Sequence, residues 1–190
     1  MRVITGTARG RRLITLAGDT VRPTSSRVKE ALFSILQFEL EGRRVLDLFA
    51  GSGQLGIEAL SRGAKSCTFV DASRESLGVT EKNLDSTGLR ASAKTVLSDA
   101  VAYLDRTDAV YDVVFIDPPY RAGLLPAAMA AAAPHVAPGG VMVAETATDV
   151  TPVPAPQGFA AKPHRYGRTV LTVYRKEGAY EQDGNLPGEL

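Results

Sequence analysis

Two short stretches hold the residues able to do chemistry. The first is Val45 to Gly56, V-L-D-L-F-A-G-S-G-Q-L-G. An apolar run long enough for one buried strand, Val45 to Phe49, turns through Gly51, Ser52 and Gly53 into a helical pattern from Gln54 to Arg62. Such a strand, turn and helix aim backbone N–H groups and the positive end of a helix at one ligand. A Cβ in the turn would obstruct it or the ligand's approach. Gly51-x-Gly53-x-x-Gly56 also fits the dinucleotide fingerprint. Asp47 argues otherwise, because a carboxylate just before the turn repels phosphates and suits an ammonium or a sulfonium. Asp71 ends the next apolar run, where an acidic side chain can accept both hydroxyls of a ribose. The second stretch is Asp117-Pro118-Pro119-Tyr120, directly after Val113-Val114-Phe115-Ile116. Its prolines fix φ and remove two donors, leaving a stiff turn with outward-facing acceptors. An exocyclic amine on a base is a poor nucleophile, its lone pair being delocalised into the ring. The Asp117 carboxylate and Pro118 carbonyl can accept its two N–H bonds, aim the lone pair and stabilise the developing positive charge. Tyr120 offers a face on which an extruded base can stack.

These residues need a frame. The pattern alternates: a helix with an apolar face over Arg27–Leu40, the strand at 45–49, a helix to Arg62, and a second strand over 67–70. A helix from Ser73 to Ser86 closed by Gly88, a third strand over Ala91–Leu97 and a helix from Ala100 to Arg106 follow. The fourth strand leads to the tetrapeptide. An Ala-rich helix, Leu124 to His135, and a turn at Pro138-Gly139-Gly140 then precede a fifth strand, Val141 to Glu145. This order calls for a parallel sheet covered on both faces. After the proline-rich loop at 151–156, two strands surround Gly167-Arg168 with no helix between them, which adds a closing antiparallel pair. Residues 1–16 read as two short strands joined through Gly6 and Gly10, a hairpin outside the main sheet. The expected organisation is a hairpin extension over 1–20, a main domain over 21–177 and a flexible tail over 178–190.

Length and composition set the bounds. The 190 residues suit one domain, and 44% hydrophobic with 23% charged residues is ordinary globular usage. No apolar run approaches the ~20 residues of a membrane span, and the first six residues lack a signal-peptide hydrophobic region. A lone Cys67 rules out an internal disulfide framework and fits a cytoplasmic protein. With two histidines and one cysteine, no metal site is expected. The net charge of +1 hides an asymmetry: residues 1–30 carry seven basic residues against Asp19 and Glu30, a net +5, and the remainder carries −4. A basic arm on a mildly acidic body points to a polyanionic partner.

Asp47, the glycines and Asp71 together resemble the S-adenosylmethionine site of class I methyltransferases. A closing antiparallel pair is also that fold's arrangement. Over nearly its full length the chain is similar to the RsmD-type small-subunit (16S) rRNA guanine-N2 methyltransferases. The resemblance rests on Met1 to Gly6 with Arg9-Gly10-Arg11, on Arg22-Pro23-Thr24-Ser25-Ser26-Arg27-Val28-Lys29-Glu30-Ala31-Leu32-Phe33, on Asp47 to Gly53, on Gly56 to Ala64 and on Asp117 to Tyr120. It implies an α/β, Rossmann-like, mainly parallel seven-stranded sheet with an antiparallel last strand. It further implies that Asp47 and the loop Phe49-Ala50-Gly51-Ser52-Gly53 hold the donor's methionine end, Asp71 with Ala72 the ribose, and Asp99 with Ser98 and Ala100 the adenine. Pro119 completes the catalytic turn. Arg9, Arg11, Arg12, Arg22, Thr24, Arg27 and Lys29 would meet rRNA in an assembling or assembled subunit, the enzyme acting as a monomer without metal. Gln54 stands where a smaller residue is expected and Lys29 where arginine is usual. The residues alone reach an amino-methyltransferase with a basic arm. Adenine N6 and a protein glutamine amide are competing acceptors, although the latter enzymes usually show asparagine before the two prolines and would not need the basic hairpin. A donor-binding module without turnover and a dehydrogenase are weaker alternatives.

Overall fold

A computed structural model describes residues 1–16, 26–119 and 123–178. The apolar runs become the strands of one seven-stranded sheet. In chain order these are β1 (Arg44–Leu48), β2 (Ser66–Asp71), β3 (Ala93–Leu97), β4 (Tyr111–Ile116), β5 (Val136–Ala147), β6 (Phe159–Tyr166) and β7 (Thr169–Lys176). Their spatial order is β3-β2-β1-β4-β5-β7-β6. The first five pair in parallel, and β7 runs antiparallel to both β5 and β6. The expected class I architecture is present, with β7 the one strand reversed.

The helices are α1 (Ser26–Ile35), α2 (Gln54–Ser61), α3 (Arg74–Thr87), α4 (Ala100–Leu104) and α5 (Leu124–Ala132). Local chemistry sets their ends: the Ser73 hydroxyl caps α3 by accepting from Ser76 N at 3.2 Å, and Gly88 closes it at φ 74°. Strand alternation divides the core between two faces. One face packs Val45, Phe69, Phe115 and Val143 against α1, α2 and the N-terminal segment; the other packs Leu46, Leu48, Ile116 and Ala144 against α4 and α5.

Three sequence expectations shift. Pro138-Gly139-Gly140 lies inside β5, which starts at Val136, because a register slip between Tyr111 and Val113 absorbs the extra residues as a bulge. At Gly140 a Cβ would fall 2.8 Å from the Ala137 carbonyl oxygen and 2.9 Å from that of Asp112. The third strand begins at Ala93 because Arg90–Ser92 form a 3-10 turn. Residues 1–13 pair back on themselves through Val3 N to Arg11 O, Gly10 N to Val3 O and Leu13 N to Met1 O, each 2.9 Å, but form a single antiparallel bridge, Arg2 to Arg12, rather than two strands. No helix among the described residues is long and apolar enough to cross a membrane. The tail from residue 179 onward lies outside the described residues.

Candidate active site

The carboxyl edge of the sheet gathers the acidic residues singled out in the sequence. In the order β3-β2-β1-β4, Asp99, Asp71, Asp47 and Asp117 stand at or just beyond the carboxyl ends of successive strands, which lie about 4.8 Å apart. By register Asp71 and Asp117 stand two residues further along than Asp47, and Asp99 two beyond Asp71. The chain winds from β1 to β2 and β3 on one side, then returns to β4 on the other. The gap between β1 and β4 is therefore the topological switch point, where open α/β sheets bind ligands.

Within the row each group is held. Asp47 Oδ2 accepts from Gly56 N at 2.9 Å, and the side chain is buried. Burial pushes its carboxyl up to about 8 against the pull of the Gly56 N–H, with Asp117 and Asp71 adding their charge. Asp71 spans two turns, Oδ2 accepting from Gly51 N and Oδ1 from Ser73 N, each at 2.8 Å. Asp99 Oδ1 accepts from Ala102 N at 3.0 Å and so caps α4. Ser98 N donates to Asp71 O, and Arg106 Nη2 to Ser98 Oγ. Ala72 is exposed and Ala100 buried beside them.

The loop itself is strained and braced. Phe49, at φ 59°, is the one non-glycine among the described residues with a positive φ, followed by Gly51 at 57° and Gly53 at 75°. A side chain in this region costs on the order of 1–3 kcal/mol and persists only where the surroundings impose it. Here the Thr80 hydroxyl donates to Gly51 O, the Asn83 amide to Ser52 O (both 2.9 Å) and Gly53 N to Ala50 O at 2.7 Å. Gly56 seats α2 against β2, since a Cβ there would fall 2.3 Å from Phe69 Cε1 and 2.6 Å from Cys67 Sγ. The third glycine of the apparent dinucleotide fingerprint is thus a packing requirement, consistent with its role in such motifs. Gln54 Oε1 is buried with no hydrogen-bond partner among the described residues. Asp117 follows β4, Pro118 is buried and Pro119 exposed; Tyr120, the proposed stacking face, lies outside the described residues.

Thr80 and Asn83 carried no motif, yet both fix this loop. Polar side chains three residues apart on the buried side of an amphipathic helix are the signal that marks them. Asn83 also clasps the N-terminal arm, accepting from Ile14 N at 2.8 Å and donating to Ile14 O at 2.9 Å. Glu58, fully buried, accepts from Ile4 N, Thr5 N, Lys29 Nζ and Arg62 Nε at 2.8–3.0 Å. Ser61 Oγ accepts from Ala8 N and donates to Thr5 O.

The basic residues divide. Arg9, Arg11, Arg12 and Arg27 are exposed; Arg22 and Thr24 lie outside the described residues. A cavity of about 650 Å³ between arm and α1 is lined in part by Arg2, Arg9 and Arg12, and none of the four edge carboxylates lines it. Lys29 departs from its expected place on an RNA-facing surface. It is 1% exposed, its ammonium 3.0 Å from Glu58, because it shares the buried side of α1 with Val28, Leu32 and Phe33. No group of three or more possible metal-ligating side chains occurs among the described residues.

The profile of the family described as conserved hypothetical protein 95 matches residues 1–175. The chain belongs to this family, the RsmD type. YlbH of Bacillus subtilis is 36% identical over 185 residues, 94% of this chain and 100% of its own. Ribosomal RNA small subunit methyltransferase D of Escherichia coli is 41% identical over 125 residues, 66% of this chain and 63% of that protein, just under two thirds of its length. The solved structure of yhhF from Escherichia coli, 33% identical, superposes with a TM-score of 0.81 over 94% of this chain and 98% of its own. Family membership thus covers the arm, the glycine loop and the D-P-P turn together.

Proposed function

We propose that this RsmD-type protein transfers a methyl group from S-adenosylmethionine to the exocyclic N2 of a guanine in small-subunit rRNA. The observation that carries the reading is the row of four carboxylates across β3-β2-β1-β4, with a glycine loop after β1 and the D-P-P turn after β4. The name of the Escherichia coli relative supports the RNA class. In this reading Asp47 and the loop hold the donor's methionine end. Asp71 keeps lone pairs beyond its two loop bonds for ribose hydroxyls, and Asp99, Ser98 and Ala100 border the adenine. The donor supplies an electrophilic methyl on a positive sulfur. The chain's own work is to orient the amine: Asp117 and the Pro118 carbonyl accept its N–H bonds, direct its lone pair along the transfer line and stabilise the charge that develops on nitrogen. Arg9, Arg11, Arg12 and Arg27 meet phosphates.

Small subunits from cells lacking the protein, incubated with it and radiolabelled S-adenosylmethionine and digested to nucleosides, test this. Label in N2-methylguanosine is expected. Label in another methylated nucleoside would replace the acceptor, and no label in RNA with donor binding intact would redirect the search to DNA and protein amides.

Two further outcomes follow. A donor carrying positive charge binds best to ionised Asp47, whose carboxyl stands near 8 in the free chain. Below that value binding expels a proton, so donor affinity should rise about tenfold per pH unit from pH 6 and stop rising near pH 8, where an α-amino group also begins to lose its proton. For the ligand-free fold the sign is opposite: a raised carboxyl favours the folded state at low pH, and its contribution is lost as pH rises from about 4 through 8. Calorimetric titration at several pH values would show the trend, and a flat affinity would remove Asp47 from the donor site. Replacing Arg9, Arg11 and Arg12 with alanine should lower the slope of log affinity for rRNA against log salt by about 2–3; an unchanged slope would leave the arm without its proposed role.

A further inference from the structure

Beside the D-P-P turn stands a second acid that no motif marks. Strands β4 and β5 pair in parallel, Phe115 with Val143 and Ile116 with Ala144. Carrying that register one residue further places Asp117 beside Glu145. Phe115 and Val143 belong to one core face and Ile116 and Ala144 to the other. By alternation, Asp117 and Glu145 continue on the face of Phe115 and Val143, about 4.8 Å apart across the strands. Glu145 is 8% exposed. It lines a cavity of about 170 Å³ together with Pro118, Pro119, Leu125, Thr146 and Val153. This apolar recess lies next to the turn that presents the amine.

The edge of a base that suits two neighbouring carboxylates carries two neighbouring donors. Guanine offers one, N1–H beside the N2 amine. Adenine sets a bare N1 lone pair beside its amine, which a carboxylate repels, and 2-aminopurine has the same bare N1 beside an amine at C2. We propose that Glu145 is the specificity-determining residue, accepting the N1–H of the guanine whose N2 amine is held at Asp117 and Pro118. The assignment rests on the guanine-N2 reading above and names what selects that base.

The test uses the full chain and small subunits reconstituted on rRNA carrying guanine or 2-aminopurine at the methylated position. Both bases present the same exocyclic amine. The unaltered protein should prefer guanine by about 10²-fold or more in kcat/KM, because a carboxylate that accepts the N1–H of guanine repels the lone pair of a bare N1. Glu145→Gln, which can donate its amide to a bare N1, should narrow the preference to within about tenfold, lowering the guanine rate and raising that of 2-aminopurine. Glu145→Ala should narrow it by slowing guanine alone. Each ratio is internal to one variant, so altered folding cancels, and melting and donor affinity are expected to hold. A preference that persists in both variants overturns the Glu145 assignment and leaves the guanine-N2 reading standing. Absence of N2-methylguanosine with the unaltered protein removes both.

Discussion

Asp117→Ala is expected to lower methyl transfer by about 10³-fold, the loss seen when one positioned electrostatic partner of a transition state is deleted. Donor binding should survive, because the proposed donor contacts lie on β1, β2 and β3, whereas Asp117 follows β4. Asp117→Asn keeps the shape and one acceptor oxygen but loses the charge, so it should fall between alanine and the unaltered chain. A second readout separates a local effect from general damage. Asp117 is one of the charges that raise the Asp47 carboxyl. Removing it should therefore shift the pH at which donor affinity levels off to a lower value. Single-turnover transfer measures the first effect and calorimetric titration the second. Loss of donor binding in Asp117→Ala would mean that the residue belongs to the donor site instead.

Glu58→Ala should cost the most stability. Four donors converge on this buried carboxylate, and deleting it strands the Lys29 ammonium in an apolar setting. Breaking a buried pair from one side costs about 3–5 kcal/mol. At about 2–4 °C per kcal/mol for a chain of this size, melting should fall by roughly 10 °C. Removing both charges, as Glu58→Gln with Lys29→Met, should restore part of the loss, because no unpaired charge is then left inside. The pH dependence has a definite sign. Burial alone would raise the Glu58 carboxyl, but the charge of Lys29, the Ile4 N–H and Arg62 together outweigh it and hold it below its ordinary value. Its stabilisation is therefore full above the unfolded carboxyl value near 4.3 and lost as pH falls through the lower folded one. Melting curves followed by circular dichroism check this. A fall of only a degree or two in Glu58→Ala would show that the arm is held elsewhere.

The parts legible in the sequence are those written in local chemistry. Glycines at 51, 53 and 56, the two prolines after Asp117 and the alternation of strands with helices each act within a few residues, so their meaning survives without coordinates. The charge of Lys29 suggests an RNA-facing surface, whereas its spacing to Leu32 and Phe33 places it on the buried side of α1. Periodicity outweighs residue type there because a paired charge can be buried. Glu58, Thr80 and Asn83 were silent for another reason. A polar residue on an apolar helix face announces that it needs a partner, but the partners of Glu58 lie up to 54 residues away and one of Asn83 lies 69 away. Similarly, Glu145 acquires its meaning from the neighbouring strand, through a register that one strand alone does not contain.

The clasp of the N-terminal arm has a consequence for how the chain is made. Residues 1–14 leave the ribosome before the groups that fix them, Glu58, Ser61 and Asn83, which follow 53 to 69 residues later. Synthesis at about 5–20 residues per second leaves the arm undocked for several seconds. During that interval its arginines belong to an unanchored, strongly basic peptide beside the translating ribosome's own RNA. Once α2 and α3 close on it, the Asn83 amide that seats Ile14 also holds Ser52 in the glycine loop. The surface proposed to grip RNA and the loop proposed to hold the donor are thus completed by the same late folding event.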